Sequence, residues 1–205
     1  MEFTSLATVF VTLFVIIDPI AVAPLFVALT RGMAPADRRA AAFRACLVAA
    51  GVLTLFGLFG EALLRLAGIS LDAFRISGGI LLFLIAVEML FERRTVRRRN
   101  TASAAQDPSV FPVAVPLIAG PGAMATMVLL ATQPGAGWPW LLGVHAVMLS
   151  VVAITLALFL AGSWLERLMG VNGINVLTRL FGILLAALAV QIALDGLAGY
   201  GLKPV

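Results

Sequence analysis

The chain has 205 residues, 62% apolar and 12% charged, with a mean hydropathy of +1.10. A soluble domain averages about half apolar and a quarter charged residues, so this composition excludes an ordinary soluble protein. The net charge of +4 does not mark a nucleic-acid binder, because the basic residues fall between apolar runs, where they set topology. One Cys (Cys46) permits no internal disulfide, and with only one His besides, the sequence predicts no metal site and no cofactor.

A helix of about 20 apolar residues crosses a bilayer. Six such segments follow in order: Leu6–Thr30, Ala42–Leu64, Leu71–Phe91, Val110–Thr132, Trp138–Ser163 and Ile174–Asp195. The first lacks a basic leader and is too long for a cleavable signal peptide, so it reads as a span. In its middle, near the bilayer midplane, stand Asp18 and Pro19. Proline breaks a helix interior but fits the first position of a new helix, and Asp is a favoured N-cap. Asp18-Pro19 therefore predicts a helix that stops and restarts, with Pro24 loosening the second half.

Beyond segment 1, loop 1 carries Arg31, Arg38, Arg39 and Arg44. Glu61 sits at the outer end of segment 2, and Asp72 and Arg75 are spaced to pair on one helix face. Glu88, near the inner end of segment 3, is expected to reach Arg93 or water. Residues 92–108, "ERRTVRRRNTASAAQDP", read as a basic linker. Segment 4 contains "VPLIAGPGA", where Gly120, Pro121 and Gly122 predict a second break with a restart at Pro121 and Thr126 just beyond. His145 in segment 5 reads as packing, and Asp195 as interfacial. Loop 5 carries Arg167 and Arg179. Loops 1, 3 and 5 hold eleven of the fourteen Lys and Arg, which predicts that they are cytoplasmic and that both termini lie outside.

The two halves repeat. "DPIAVAPLFVALT" (18–30) aligns with "GPGAMATMVLLAT" (120–132), and "GEALLRLAGIS" (60–70) with "GSWLERLMGVN" (162–172), at a spacing of 102. "GILLFLIAVEM" (79–89) aligns with "GILLAALAVQI" (182–192) at 103. The expected architecture is an all-α polytopic membrane protein: a three-helix repeat over 1–92, a linker over 93–109 and a second repeat over 110–205. An odd number of spans per repeat inverts the second copy, a plan common in secondary transporters. Two half-helix N-termini then converge at the midplane, with positive dipole ends and unbonded N–H groups. Asp18 suits an ammonium, and the backbone around Gly120, Gly122 and Ala123 suits a carboxylate, so the pair suits a zwitterion. The expected substrate-binding set is Asp18, Pro19, Gly120, Pro121, Gly122, Ala123 and Thr126. The competing view makes Asp18 a structural cap and the glycines packing positions.

The blocks "IDPIAVAPLFVALT", "GISLDAFRISGGILLFLIAVEML" and "VFPVAVPLIAGPGAMATMVLLAT" resemble the MarC family of bacterial inner-membrane proteins over nearly the whole chain. The resemblance implies six membrane helices and transport of small neutral amino acids. Family members often read DPIGNxP, where this chain has apolar Val22 in place of the Asn. The expected partners are a small-molecule substrate, with protons as a candidate coupling ion, and the lipid bilayer. No nucleic acid is expected, and the sequence does not define an oligomeric state. A channel with paired half-helices and a non-transporting scaffold are the alternatives. No catalytic constellation is visible, so an enzyme is not expected.

Overall fold

In the computed structural model every described element is a helix, and no strand occurs among the described residues. The structure describes residues 5–30, 32–91, 114, 117–133, 135 and 137–201, with the backbone alone for 162–169 and 171. In chain order the helices are α1 (Leu6–Ile17), α2 (Pro19–Leu29), α3 (Pro35–Leu66), α4 (Leu71–Leu90), α5 (Pro121–Ala131), α6 (Trp138–Leu160) and α7 (Gly162–Gly199). Five stretches are long and apolar enough to cross a membrane: Leu6–Leu29, Pro35–Leu66, Leu71–Leu90, Trp138–Leu160 and Asn172–Gly199. The shorter apolar α5 stands in the expected fourth segment. A wide turn precedes it, where the Ala119 N–H donates to the Ala114 carbonyl at 2.9 Å. The linker 93–109, and with it Arg93, lies outside the described residues.

Two boundaries differ from the sequence expectation. α3 begins at Pro35 rather than Ala42, so Arg38, Arg39 and Arg44 lie on a helix and not in a loop. Pro at the first helical position, Asp37 in the first turn and an Ala-rich run favour the earlier start, which hydropathy does not see. Arg167 and Arg179 likewise fall on α7, which is helical from Gly162 and is interrupted at Gly170 (φ 61°, ψ 172°) instead of opening into a loop.

The internal repeat has local structural counterparts. α2 and α5 each begin with a proline and run for 11 residues. Each ends at a threonine of matching position, Thr30 or Thr132. Their hydroxyls donate to the Phe26 and Val128 carbonyls, both at 2.8 Å. Gly68 (φ 69°) closes α3, with the Ile69 N–H donating to the Leu64 carbonyl at 2.9 Å, and its sequence equivalent Gly170 also takes a positive φ.

Packing puts the broken span in the middle. About two-thirds (67%) of the apolar window of Leu6–Leu29 is buried, against 28% for each of the other four spans. The outer helices expose large apolar side chains such as Leu47, Phe59, Leu142 and Leu184, as a lipid-facing surface requires. Hydrocarbon gives apolar helices little reason to associate, so close approach at small residues carries the packing. α4 and α7 form the most extensive pair, and they run antiparallel. A Cβ at Gly79 would stand 2.7 Å from the Ala189 carbonyl oxygen, and one at Gly182 would stand 3.2 Å from that of Ala86. These contacts exchange with each other under the 103-residue spacing. Further along, Gly196 and Gly199 close on Asp72 at the start of α4. There Arg75 donates to Asp72 at 2.9 Å, as its spacing predicts.

Candidate functional site

Among the described residues, the interrupted first span supplies the one buried Asp, Glu, Lys or Arg. Asp18 is fully buried and has φ 54° and ψ 61°, the only positive φ outside glycine among the described residues. A left-handed residue ends one helix and re-aims the chain for the next, and Asp and Asn are the non-glycine residues that visit this region most readily. Asp18 serves both ends. Its N–H donates to the Phe14 carbonyl at 2.9 Å and closes α1, while its Oδ1 accepts from the Ala21 N–H at 3.4 Å and caps α2. The cap is long by hydrogen-bond standards. Pro19, buried, takes the first position of α2, and α2 continues through Pro24.

At the second break Gly120 is the N-cap of α5 and Pro121 its first residue, and no side chain caps the helix. Gly120 is half-buried and Pro121 exposed, whereas Gly122, Ala123 and Thr126 are buried. The structure brings the two breaks side by side: a Cβ at Gly122 would lie 3.6 Å from Cγ2 of Ile16, two residues before Asp18. The same Cβ would meet Cδ1 of Ile85 at 2.7 Å and Cδ2 of Leu82 at 3.1 Å. The Cα of Gly122 thus packs against α4, and a larger residue there would collide with apolar side chains. Ile16, Leu82 and Ile85 pack around Gly122, and no local sequence pattern marks them because they arrive from α1 and α4.

Thr126 lies one turn past Gly122, on the same helix face. It is 1% exposed, and its Oγ1 has no hydrogen-bond partner. Thr30, Thr132 and Thr155 instead return their hydroxyls to the carbonyl four residues back, each at 2.8 Å. A buried hydroxyl without a partner costs about 1–3 kcal/mol.

The remaining polar residues stand apart from this centre. Nδ1 of His145 lies 2.8 Å from the Leu141 carbonyl, which can only accept, so Nδ1 carries the proton. Its Nε2 packs over Gly57, where a Cβ would come within 2.8 Å. Glu61 pairs loosely with Arg65 at 3.7 Å, and Asp195 accepts from Gln191 at 2.8 Å. Among the described residues no group of three or more His, Cys, Asp or Glu could hold a metal ion.

A helical bundle with five membrane-length apolar spans and a lipid-facing apolar surface defines an integral, multi-pass membrane protein. The chain belongs to the MarC family of integral membrane proteins, whose pattern it matches over residues 3–200. It is 36% identical to a UPF0056 membrane protein of Methanocaldococcus jannaschii over 204 residues, covering 97% of this chain and 98% of that one. It is also 36% identical to the UPF0056 inner membrane protein YhgN of Escherichia coli, covering 91% and 93% of the two chains. The UPF0056 membrane protein YvbG of Bacillus subtilis is 34% identical, with 99% and 96% covered. No solved structure matches the chain.

Proposed function

We propose that this protein is a secondary transporter of small neutral amino acids, or of metabolites of similar size, in the bacterial inner membrane. The observation that carries the proposal is Asp18, a fully buried carboxylate in the most enclosed of the five membrane-length spans, at a helix break beside a second, uncapped break. Ionisable groups at membrane depth are costly and mark substrate or ion paths. Paired broken helices at the interface of two repeats are a recurrent plan for such sites. In this reading the substrate ammonium meets Asp18 and its carboxylate meets the backbone around Gly120, Gly122 and Ala123. Pro19 and Pro121 fix the two restarts, and Thr126 offers its hydroxyl. Ile16, Leu82 and Ile85 limit the substrate to a small side chain.

The antiparallel packing of α4 on α7 supports an inverted relation between the repeats, because equivalent helices of parallel repeats would run the same way. The matched Pro and Thr ends of α2 and α5 support the repeat itself. On this reading residues 1–92 and 110–205 are the two units, residues 93–109 join them, and loops 1, 3 and 5 face the cytoplasm with both termini outside. The test is flux of radiolabelled amino acids in proteoliposomes, with and without an imposed proton gradient. Accumulation above the external concentration is expected with the gradient. Equilibration without accumulation in every condition would identify a channel instead.

A further inference from the structure

Arg38 is the one cation among the described residues that has a buried hydrogen-bond donor without a partner: its Nη2 is enclosed and makes no hydrogen bond. Its position on α3 explains the enclosure. Ala42, Ala45 and Ala49 follow it at helical spacing on the fully buried face, so Arg38 points into the bundle end and not into lipid. The guanidinium Cζ lies 5.9 Å from the ring centre of Phe26 on α2. Phe26 in turn stacks on Phe159 of α6, with ring centres 4.3 Å apart and planes 6° from parallel. The guanidinium carbon stands over the ring face, and the enclosed Nη2 is the donor left for an oxyanion. Asp37, its neighbour in sequence, is exposed and makes no ion pair with it among the described residues.

The other repeat shows what this position does when its role is structural. Trp140 is the equivalent of Arg38, and its Nε1–H donates to the Leu130 carbonyl at 2.9 Å, tying α6 to the end of α5. That donor is neutral and satisfied within the fold. At the matching place the first repeat carries a permanent positive charge whose Nη2 is left over. Arg38 is half-buried, so the enclosed edge of its guanidinium has lost water without gaining a partner, and a planar fork of donors fits an oxyanion.

The geometry points to Arg38 as the anchor of a second binding site, for a small carboxylate or phosphate oxyanion, at the bundle end where α2, α3 and α6 meet. The inward aim of the side chain favours a free anion over a lipid headgroup of the same chemistry. The site stands whether or not the chain transports.

Thermal unfolding of the full chain in detergent tests it, with sodium phosphate or phosphatidylglycerol as probe and sodium chloride at matched ionic strength as reference. At about 20 mM phosphate the wild type should melt about 3 °C higher than in chloride, and Arg38→Gln should show no such rise. In chloride alone Arg38→Gln should melt no lower than wild type, because it removes a half-buried charge whose enclosed donor has no partner. A rise with phosphatidylglycerol but not with phosphate, lost in Arg38→Gln, would support the oxyanion site with the headgroup as its source. No rise with either probe overturns the proposal. Equal rises in wild type and variant, or a clear loss of stability in Arg38→Gln in chloride, overturn it as well. If Arg38→Gln does not purify, Arg38→Lys keeps the charge without the fork and should need several-fold more phosphate for the same rise; an unchanged requirement overturns the proposal.

Discussion

Asp18 does two structural jobs besides any chemistry, and two neutral substitutions separate them from its charge. Asp18→Asn and Asp18→Ala both remove the carboxylate, so the cost of burying a charge cancels when the two variants are compared with each other. Asn keeps an acceptor for the Ala21 N–H and tolerates the left-handed conformation at φ 54°. Ala keeps neither. The cap bond is long at 3.4 Å, so its loss is worth the lower part of the usual range, about 0.5–1 kcal/mol. Holding Ala in the left-handed region costs a further 1 kcal/mol or so. Asp18→Ala should therefore be less stable than Asp18→Asn by about 2 kcal/mol, equivalent to roughly 4–8 °C in melting temperature for a chain of this size. The assay is thermal unfolding of the two purified variants in the same detergent. Equal melting temperatures would mean that neither the cap nor the backbone conformation at Asp18 holds the break.

Thr126→Val should raise stability by about 1 kcal/mol, since it deletes a buried hydroxyl that has no partner, and should weaken transport; lower stability would assign the hydroxyl a structural bond. Gly79→Leu and Gly182→Leu should each cost about 2 kcal/mol or more in unfolding, because each drives a side chain into the backbone of the facing helix; a tolerated substitution at either would contradict the close α4–α7 contact. In a Cys46→Ala background, a cysteine at Gln133 should react with an impermeant thiol reagent added to intact cells, and one at Ala102 only after permeabilisation; the same sidedness for both would refute the inverted arrangement.

The break at Asp18 is legible in the sequence because Pro19 has few permitted places in a helix and Asp is a natural cap before it. Its left-handed backbone is not legible. An N-cap residue ordinarily takes an extended conformation, and only the finished fold shows that the same residue must also close α1. The start of α3 is misread from hydropathy because "PADRRAAAFRA" is polar yet strongly helix-forming, and with it the inward phase of Arg38 is lost. Once α3 begins at Pro35, the spacing from Arg38 to Ala42, Ala45 and Ala49 shows that phase directly. Gly122 is legible as a packing or binding glycine but not as which of the two. Its neighbours Ile16, Leu82 and Ile85 come from two other helices, and they make Gly122→Leu a test of packing more than of ligand access.

In the proposed transporter the charge of Asp18, and not only its role at the helix break, drives transport. The direct measurement is proton-gradient-driven amino acid accumulation by Asp18→Asn in proteoliposomes, at wild-type protein density and with its melting temperature confirmed near wild type. The expected result is a folded protein whose accumulation is abolished. Accumulation at the wild-type rate would contradict it and reduce Asp18 to a cap.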